Sequence, residues 1–372
     1  MNRRDFVRTV GLGTVGAVAA TQAPSLGRAS PKPAAAKQVK MRVGAQRSPI
    51  TKDWDGFRAM VQFCVRHGVE GICAFPKASR DRRWDLDEVL RMREICEEEN
   101  LSLEILGGAL SSGTIYGQFP HILQGKDPER DREIDLFCDM LRVTAKAGVP
   151  CLKYNLSILR TLRTEPTPGR GGTLYSTWNY AKAPKNPPLT AAGVVDADTF
   201  WERITYFLER VVPVAESEKV RLALHPHDPA VPPEGYQGVV RVLGTVEGMK
   251  RFVDIKSSPY HGLNLCLGSS AEMMENPAEE IFDVVRYFGE RKKLFNIHFR
   301  NIRGKRYNFQ EVYPDEGDID MPKLLMALKE VDYPYLVMPD HVPRHEHDPH
   351  GQQGFAYCFG YIKALIQVAS AV

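Results

Sequence analysis

Four apolar runs in the second half of the chain each stop on a side chain able to donate an electron pair to a metal. Leu222-Ala223-Leu224 leads into His225, Leu263-Asn264-Leu265 into Cys266, Leu294-Phe295-Asn296-Ile297 into His298, and Leu336-Val337-Met338-Pro339 into Asp340, with His341 directly after. Short, nearly continuous apolar runs are the pattern of strands buried on both faces, as in a parallel sheet. Between them, Thr245 to Ile255, Asn276 to Arg291 and Asp320 to Val331 carry apolar residues at helical spacing, and Phe355 to Ala371 closes the chain in the same way. Such alternation requires parallel strands joined by crossover helices.

The first half repeats the pattern. Strands are predicted at Met41–Ala45, Gly71–Phe75, Leu103–Leu106 and Val149–Asn155, with helices from Asp55 to His67 and from Leu86 to Glu99. A long third helix runs to Ala147, with Asp127 as its N-cap and Pro128 at the first helical position. The rhythm breaks over residues 156–197, which hold eight Pro and Gly positions from Pro166 to Pro188 along with Tyr175, Trp178 and Tyr180. A loop of this length is functional or disordered, and its aromatics with Arg163 and Arg170 favour an ordered lid. After it, Asp198 to Glu218 reads as a helix. Eight strands alternating with helices predict an α/β fold, a (β/α)8 TIM barrel over residues 40–372, single-domain with a long insertion after strand four. Active sites of such barrels lie at the C-terminal ends of the strands, where the four donors fall.

Residues 1–39 stand apart. Arg3-Arg4-Asp5-Phe6-Val7, a weakly apolar stretch from Val10 to Ala20, and a Pro/Ala/Ser/Lys linker from Pro24 to Lys37 resemble a twin-arginine export signal. The expected location is periplasmic by the twin-arginine route, or cytoplasmic if the signal does not function. A net charge of +3 gives no ground for a nucleic-acid partner. Beyond the signal no apolar run is long enough to cross a bilayer. Seven scattered cysteines do not make a disulfide framework, and they are expected to be buried thiols or metal ligands.

The donors His225, Cys266, His298 and Asp340 form a mixed nitrogen, sulfur and oxygen set. That set suits Mn²⁺, Fe²⁺, Zn²⁺ or Co²⁺ better than Mg²⁺ or Ca²⁺. His341, next to a ligand, is placed to act as a general acid or base. His227 and Asp228 share a loop with His225 and are expected to orient it or to meet substrate. Asn155, Arg300 and Asn301 are expected to recognise a carboxylate and hydroxyls. His345, His347 and His350 lie in a polar, proline-containing stretch and read as a solvated loop.

Together, Leu224-His225-Pro226-His227-Asp228-Pro229, Gly262 to Ser269, Ile297-His298-Phe299-Arg300-Asn301 and Pro339-Asp340-His341 resemble the mannonate dehydratase family of the bacterial hexuronate pathway. That family carries an HPDDP loop, a GLTFCTGS-like strand, and HLRN and RPDH segments in this order. Tyr154-Asn155-Leu156 is similar to its YNF strand and Asp315 to Met321 to its GDVDM stretch.

The resemblance implies that His225, Cys266, His298 and Asp340 hold Mn²⁺ or Fe²⁺, and that His341 is a catalytic acid/base. It further implies that the substrate partner is a small sugar acid, D-mannonate, which loses water to give 2-keto-3-deoxy-D-gluconate. The chain departs from the family where His227 replaces an aspartate, Met338 an arginine, and Gln310 and Pro314 two histidines. Phe355 stands at the position of a family tyrosine proposed to act in catalysis, and Tyr357, two residues on, is the candidate to replace it. The alternatives are a xylose-isomerase-like isomerase or epimerase, a lyase acting on another sugar acid, and an exported barrel that binds sugar acids without turning them over. A homo-oligomer is left open.

Overall fold

A ring of eight parallel strands, each paired to its neighbours in the sequence, forms the centre of the computed structural model, which describes residues 38–372. The strands are β1 (Arg42–Gln46), β2 (Gly71–Ala74), β3 (Ser102–Leu106), β4 (Cys151–Asn155), β5 (Arg221–His225), β6 (His261–Cys266), β7 (Leu294–His298) and β8 (Leu336–Met338). The ring closes where Arg42 and Val43 of β1 pair with Leu336 and Val337 of β8. It is the expected TIM barrel. The export signal expected at the N-terminus lies outside the described residues.

Alternation along each strand sorts side chains between the barrel interior and the helical layer. In β4, Leu152 and Tyr154 join the large outer core, while Cys151 joins the inner cluster with Cys73, Ile105, Ala223, Phe295, Leu336 and Met338. Gly44 of β1 belongs to this interior, where a Cβ would lie 2.8 Å from Leu336 and 2.9 Å from Met338. The outer ring is α1 (Trp54–Arg66), α2 (Leu86–Glu98), α3 (Glu129–Lys146), α4 (Ala197–Glu218), α5 (Val246–Asp254), α6 (Pro277–Glu290), α7 (Met321–Glu330) and α8 (Gln352–Ala371). Several start on aspartate or threonine caps: Asp53, Asp196, Thr245 and Asp320 each accept a backbone N–H from the first turn.

The start of α3 differs from the sequence expectation. Asp127 does not cap it, because its carboxylate is held by the Arg130 guanidinium at 2.9 and 3.0 Å. A separate short helix, Pro120–Gln124, precedes it. Among the described residues, no helix is long and apolar enough to cross a membrane. All seven cysteines are buried free thiols.

The insertion is ordered through pairing with a distant hairpin. Thr177–Asn179 adds to Asn308–Val312, which in turn pairs with Asn301–Lys305 just after β7, giving a three-stranded antiparallel sheet. Trp178, within this sheet, and Tyr175, just before it, are both buried. Burial of one such aromatic removes about 150–250 Å² from water, roughly 4–6 kcal/mol at 25 cal/mol per Å². That gain opposes the cost of ordering a proline-rich segment.

Candidate metal centre

His225, Cys266 and His298 are the last residues of β5, β6 and β7, and Asp340 follows β8 by two residues. One donor atom from each lies within 4.8 Å of the others. Their placement follows from strand alternation: Ala223 belongs to the inner cluster, so His225, two residues on, also faces inward at the top of the barrel. The His225 and His298 rings are 5.2 Å apart, and Cys266 Sγ is 3.9 Å from Asp340 Oδ2.

The hydrogen bonding leaves these donors available. His225 Nδ1–H donates to the Pro226 carbonyl at 2.7 Å, which leaves the Nε2 lone pair free. Burial, with the His298 ring nearby, pushes His225 down to about 3. Burial likewise takes His298 down to about 4, so both rings are neutral at neutral pH. His298 is fully buried and neither ring nitrogen completes a hydrogen bond, with Nδ1 standing 3.3 Å from Asp340 Oδ1. An imidazole unsatisfied at both nitrogens is costly in a protein interior, and a cation on one of them relieves part of that cost. Burial drives the Cys266 thiol up to about 12, so a bound cation has to displace its proton. Burial also opposes ionisation of Asp340, but His298, His341 and Arg300 outweigh it and hold the carboxyl well below its ordinary value. The residues present therefore fit a divalent transition metal in donor type, number and protonation.

Behind this set lies a buried ion cluster. Arg300 Nη2 donates to Asp228 Oδ2 at 3.0 Å, Ser269 Oγ at 3.0 Å and Glu272 Oε1 at 2.7 Å, while Nη1 faces His341 Nε2 at 2.8 Å. A Cβ on Gly268 would collide with this guanidinium, so glycine opens the space in which Arg300 lies. Arg163, from the insertion, reaches Asp228 Oδ1 at 2.6 Å and also pairs with Glu311. Asp228, Glu311 and His341 form a second grouping of donor side chains. Two guanidiniums already match its carboxylates, so it is an ion-pair cluster and not a second cation site.

His341 is the member of this cluster that can move a proton. Its ring is 48% exposed, at the mouth of the site. Nδ1 makes an ion-pair contact with Glu311 Oε2 at 2.7 Å, and Nε2 lies between Arg300 Nη1 at 2.8 Å and Asp340 Oδ2 at 3.2 Å. Nε2 thus accepts from the guanidinium when neutral and donates to the carboxylate when protonated. Its partial burial works against the proton, but Glu311 and Asp340 outweigh it and raise the histidine above its ordinary value.

A polar cavity of about 200 Å³ opens in front of these groups, lined by Gln46, Lys153, Asn155, His225, Asp340 and His341 among others. A larger, mainly apolar cavity of about 480 Å³ lies beside Trp54, Phe57 and Phe75 and holds none of the four donors.

Not every residue expected from the sequence meets the cavity. Asp228 and Asn155 line it, although the Asn155 amide N–H is engaged by the Leu110 carbonyl. His227 is turned away: it stacks on Phe200 and bonds the Leu156 carbonyl through Nε2 at 2.8 Å. The chain leaves β5 at His225, and with the strand ends the rule that would put residues 225 and 227 on one face. Arg300 is spent on side chains of the protein. Asn301 is spent on backbone, donating to the carbonyls of Pro314 and Ile319 and accepting from the N–H groups of Ile302 and Ile319. Tyr357 is 41% exposed on α8, beside Tyr313 and under the influence of Arg170 and Asp315, and does not line the cavity. His345 bonds the Gly171 carbonyl on the surface, and the three histidines of that loop do not converge as donors.

Sequence reading missed Gln46, Lys153, Arg163, Glu272 and Glu311. Lys153 had a signal: it sits midway between Cys151 and Asn155 on β4, on the inward face that both share.

Comparison with known proteins agrees with this geometry. The family model for D-mannonate dehydratase (UxuA) matches residues 186–371, half of the chain. A mannonate dehydratase from Thermotoga neapolitana is 28% identical over 310 residues, covering 74% of this chain and 82% of the relative. One from Streptococcus pneumoniae is 26% identical over 302 residues, covering 74% and 79%. Among solved structures, mannonate dehydratase from Streptococcus suis serotype 2 superimposes with a TM-score of 0.76 at 23% identity, covering 90% of this chain and 94% of that one. The 3-keto-D-glucoside 4-epimerase YcjR of E. coli shares the fold at a TM-score of 0.55 and 13% identity, over 87% and 100% of the two chains. With the donor set at the strand ends and the family match spanning all four donors, the chain belongs to the D-mannonate dehydratase family.

Proposed function

We propose that this protein removes water from D-mannonate to give 2-keto-3-deoxy-D-gluconate, with Mn²⁺ or Fe²⁺ held by His225, Cys266, His298 and Asp340. The observation that carries the proposal is the convergence of three buried donors and the half-buried Asp340 beside His341, a histidine with a proton-bearing nitrogen at the cavity. Bound there, the cation supplies Lewis acidity toward the carboxylate and 2-hydroxyl of the substrate.

The reaction breaks the C2–H and C3–O bonds: solvent water in the cavity takes the C2 proton, the electron pair left by C2–H forms the C2–C3 double bond as the 3-oxygen leaves, and the enol becomes the ketone by giving up its hydroxyl proton and taking one at C3. A hydroxyl leaves readily only as water, so the 3-oxygen needs a proton as its bond breaks. His341 Nε2 donates that proton. The neutral ring then accepts from Arg300 Nη1, while Glu311 holds Nδ1 and so fixes the ring orientation. Arg163 and Arg300 keep Asp228 and Glu311 charged and stationary. Asp228 is held well below the ordinary range and Glu311 at about 2: burial raises both, but the two guanidiniums outweigh it. A cavity of about 200 Å³ is roughly six or seven waters' worth of space, which suits one monosaccharide acid.

The test is to incubate the metal-reconstituted protein with D-mannonate and assay 2-keto-3-deoxy-D-gluconate, with and without chelator and alongside Cys266→Ser. Product that requires metal and disappears in the variant supports the proposal. Bound metal with no product overturns the substrate, and an epimerised acid formed without loss of water would move the reading to an isomerase. Periplasmic export is part of the proposal and rests on the Arg3-Arg4 pair. Residues 1–39 fused to a reporter should be exported, and lysines at both arginines should abolish it.

A further inference from the structure

Lys153 is the cation of this site that no carboxylate claims. It lies on the inward face of β4, its residue is only 7% exposed, and it lines the polar cavity with Asn155, His225 and Asp340. Its Nζ donates to Gln46 Oε1, and Gln46 Nε2 in turn donates to Asp340 Oδ1 at 3.2 Å. Gln46 is the one acceptor it meets among the described residues, and an ammonium has three N–H donors. Burying an ammonium with one neutral acceptor is unfavourable unless something else meets it.

The other cations near the site are not available. Arg300 is held by Asp228, Glu272 and Ser269, and Arg163 by Asp228 and Glu311. A divalent cation on Cys266 and Asp340 would be balanced by one thiolate and one carboxylate. Lys153 therefore contributes the uncompensated positive charge facing the cavity.

We propose that Lys153 anchors the carboxylate of the sugar-acid substrate through its two remaining N–H donors and is the residue by which the site selects an acid over the corresponding neutral polyol. The inference rests on the dehydratase reading for the class of substrate. Gln46 aims the ammonium: its Oε1 takes one N–H while its Nε2 donates to Asp340, so Nζ is tied through Gln46 to one of the four donors. Asn155, on the same face of β4, closes the side of the cavity toward Leu110.

The experiment compares binding of D-mannonate and D-mannitol, which has a hydroxymethyl group in place of the carboxylate, to the metal-loaded parent protein, Lys153→Met and Lys153→Arg. Bound metal is measured on each variant. Lys153→Met is expected to weaken D-mannonate about 30-fold, the equivalent of about 2 kcal/mol for a lost charge-assisted hydrogen bond, with D-mannitol affinity and metal content unchanged. Lys153→Arg should recover part of the loss. Equal weakening of both ligands, or loss of metal with the acid-to-polyol ratio intact, would show a purely structural lysine acting through Gln46 and overturn the proposal. A parent protein that binds neither ligand overturns it too. If Lys153→Met does not fold, Lys153→Gln is read in its place, with thermal unfolding as the control. The two readings fail separately. D-mannonate bound through Lys153 without product refutes dehydration alone, and product formed equally well by Lys153→Met refutes the anchor alone.

Discussion

Replacing His298 by leucine should change stability with opposite signs in the metal-free and metal-loaded protein. The ring is fully buried, neutral because burial takes it down to about 4, and bonded at neither nitrogen. A buried polar group without a partner costs about 1–3 kcal/mol. An apolar side chain of similar size removes that cost and adds up to about 1.5 kcal/mol for imperfect packing. In EDTA the variant should therefore lie between about 0.5 kcal/mol below the parent and about 3 kcal/mol above it, centred near 1 kcal/mol above. With cation at a hundredfold excess over its dissociation constant, the parent gains about 2.7 kcal/mol that a protein binding no cation cannot gain. His298→Leu leaves three donors, so most of that gain should vanish and the variant should become the less stable protein. Urea unfolding of both proteins, in EDTA and in excess Mn²⁺, reads all four values. Equal destabilisation of the variant in both conditions would refute the reasoning, because His298 would then be an ordinary packing residue.

Three other outcomes follow from the buried charges. His261 is pushed down to about 4 by burial, so the folded state keeps it neutral where the unfolded chain takes up a proton. Its contribution is complete above about pH 6.5 and is lost as pH falls toward 4, about 2 kcal/mol by pH 5; His261→Gln should remove that part of the acid sensitivity in urea titrations at pH 7.5 and 5. Glu272 is raised well above its ordinary value by burial and by Asp228, whereas Asp228 is held far below. Glu272→Gln should cost under about 1 kcal/mol and Asp228→Asn about 3–5 kcal/mol, measured by chemical denaturation. In turnover of D-mannonate, His341→Asn should lower kcat about 10²- to 10⁴-fold with metal retained. Tyr357→Phe, on the exposed side of α8, should change it no more than about twofold.

The barrel and its donor set were legible because the two signals coincide. Each apolar run ends where the strand ends, so His225, Cys266 and His298 announce both a boundary and a site. Residues that act from elsewhere had no such marker. Glu272 lies one residue beyond the short helix Leu267–Ala271, Glu311 sits in a hairpin, and Arg163 sits in an irregular segment. Only tertiary structure brings these three to Arg300. Lys153 was hidden for another reason: a lysine inside an apolar strand reads as facing outward until the inward parity of Cys151 and Asn155 is applied to it. His227 and Asn301 were misread because a polar residue beside a site suggests function, while the chain beyond the strand ends uses both to satisfy backbone carbonyls.

The sheet that ties the insertion to the hairpin also sets an order of assembly. Trp178 pairs opposite Phe309, so its partner strand emerges from the ribosome about 130 residues later. At about 5–20 residues per second, that is a wait of roughly 7–26 s during synthesis. Closing a loop of this size costs only about 2 kcal/mol more than closing one of ten residues, so timing is a larger obstacle than loop entropy. Throughout the interval the hairpin-facing edge of Thr177–Asn179 lacks its partner strand, and Arg163 lacks Glu311; Asp228 itself emerges only about 50 residues into the wait. A nascent chain stalled before residue 308 should therefore be cut by protease within 160–190, and the full-length protein should resist at the same sites.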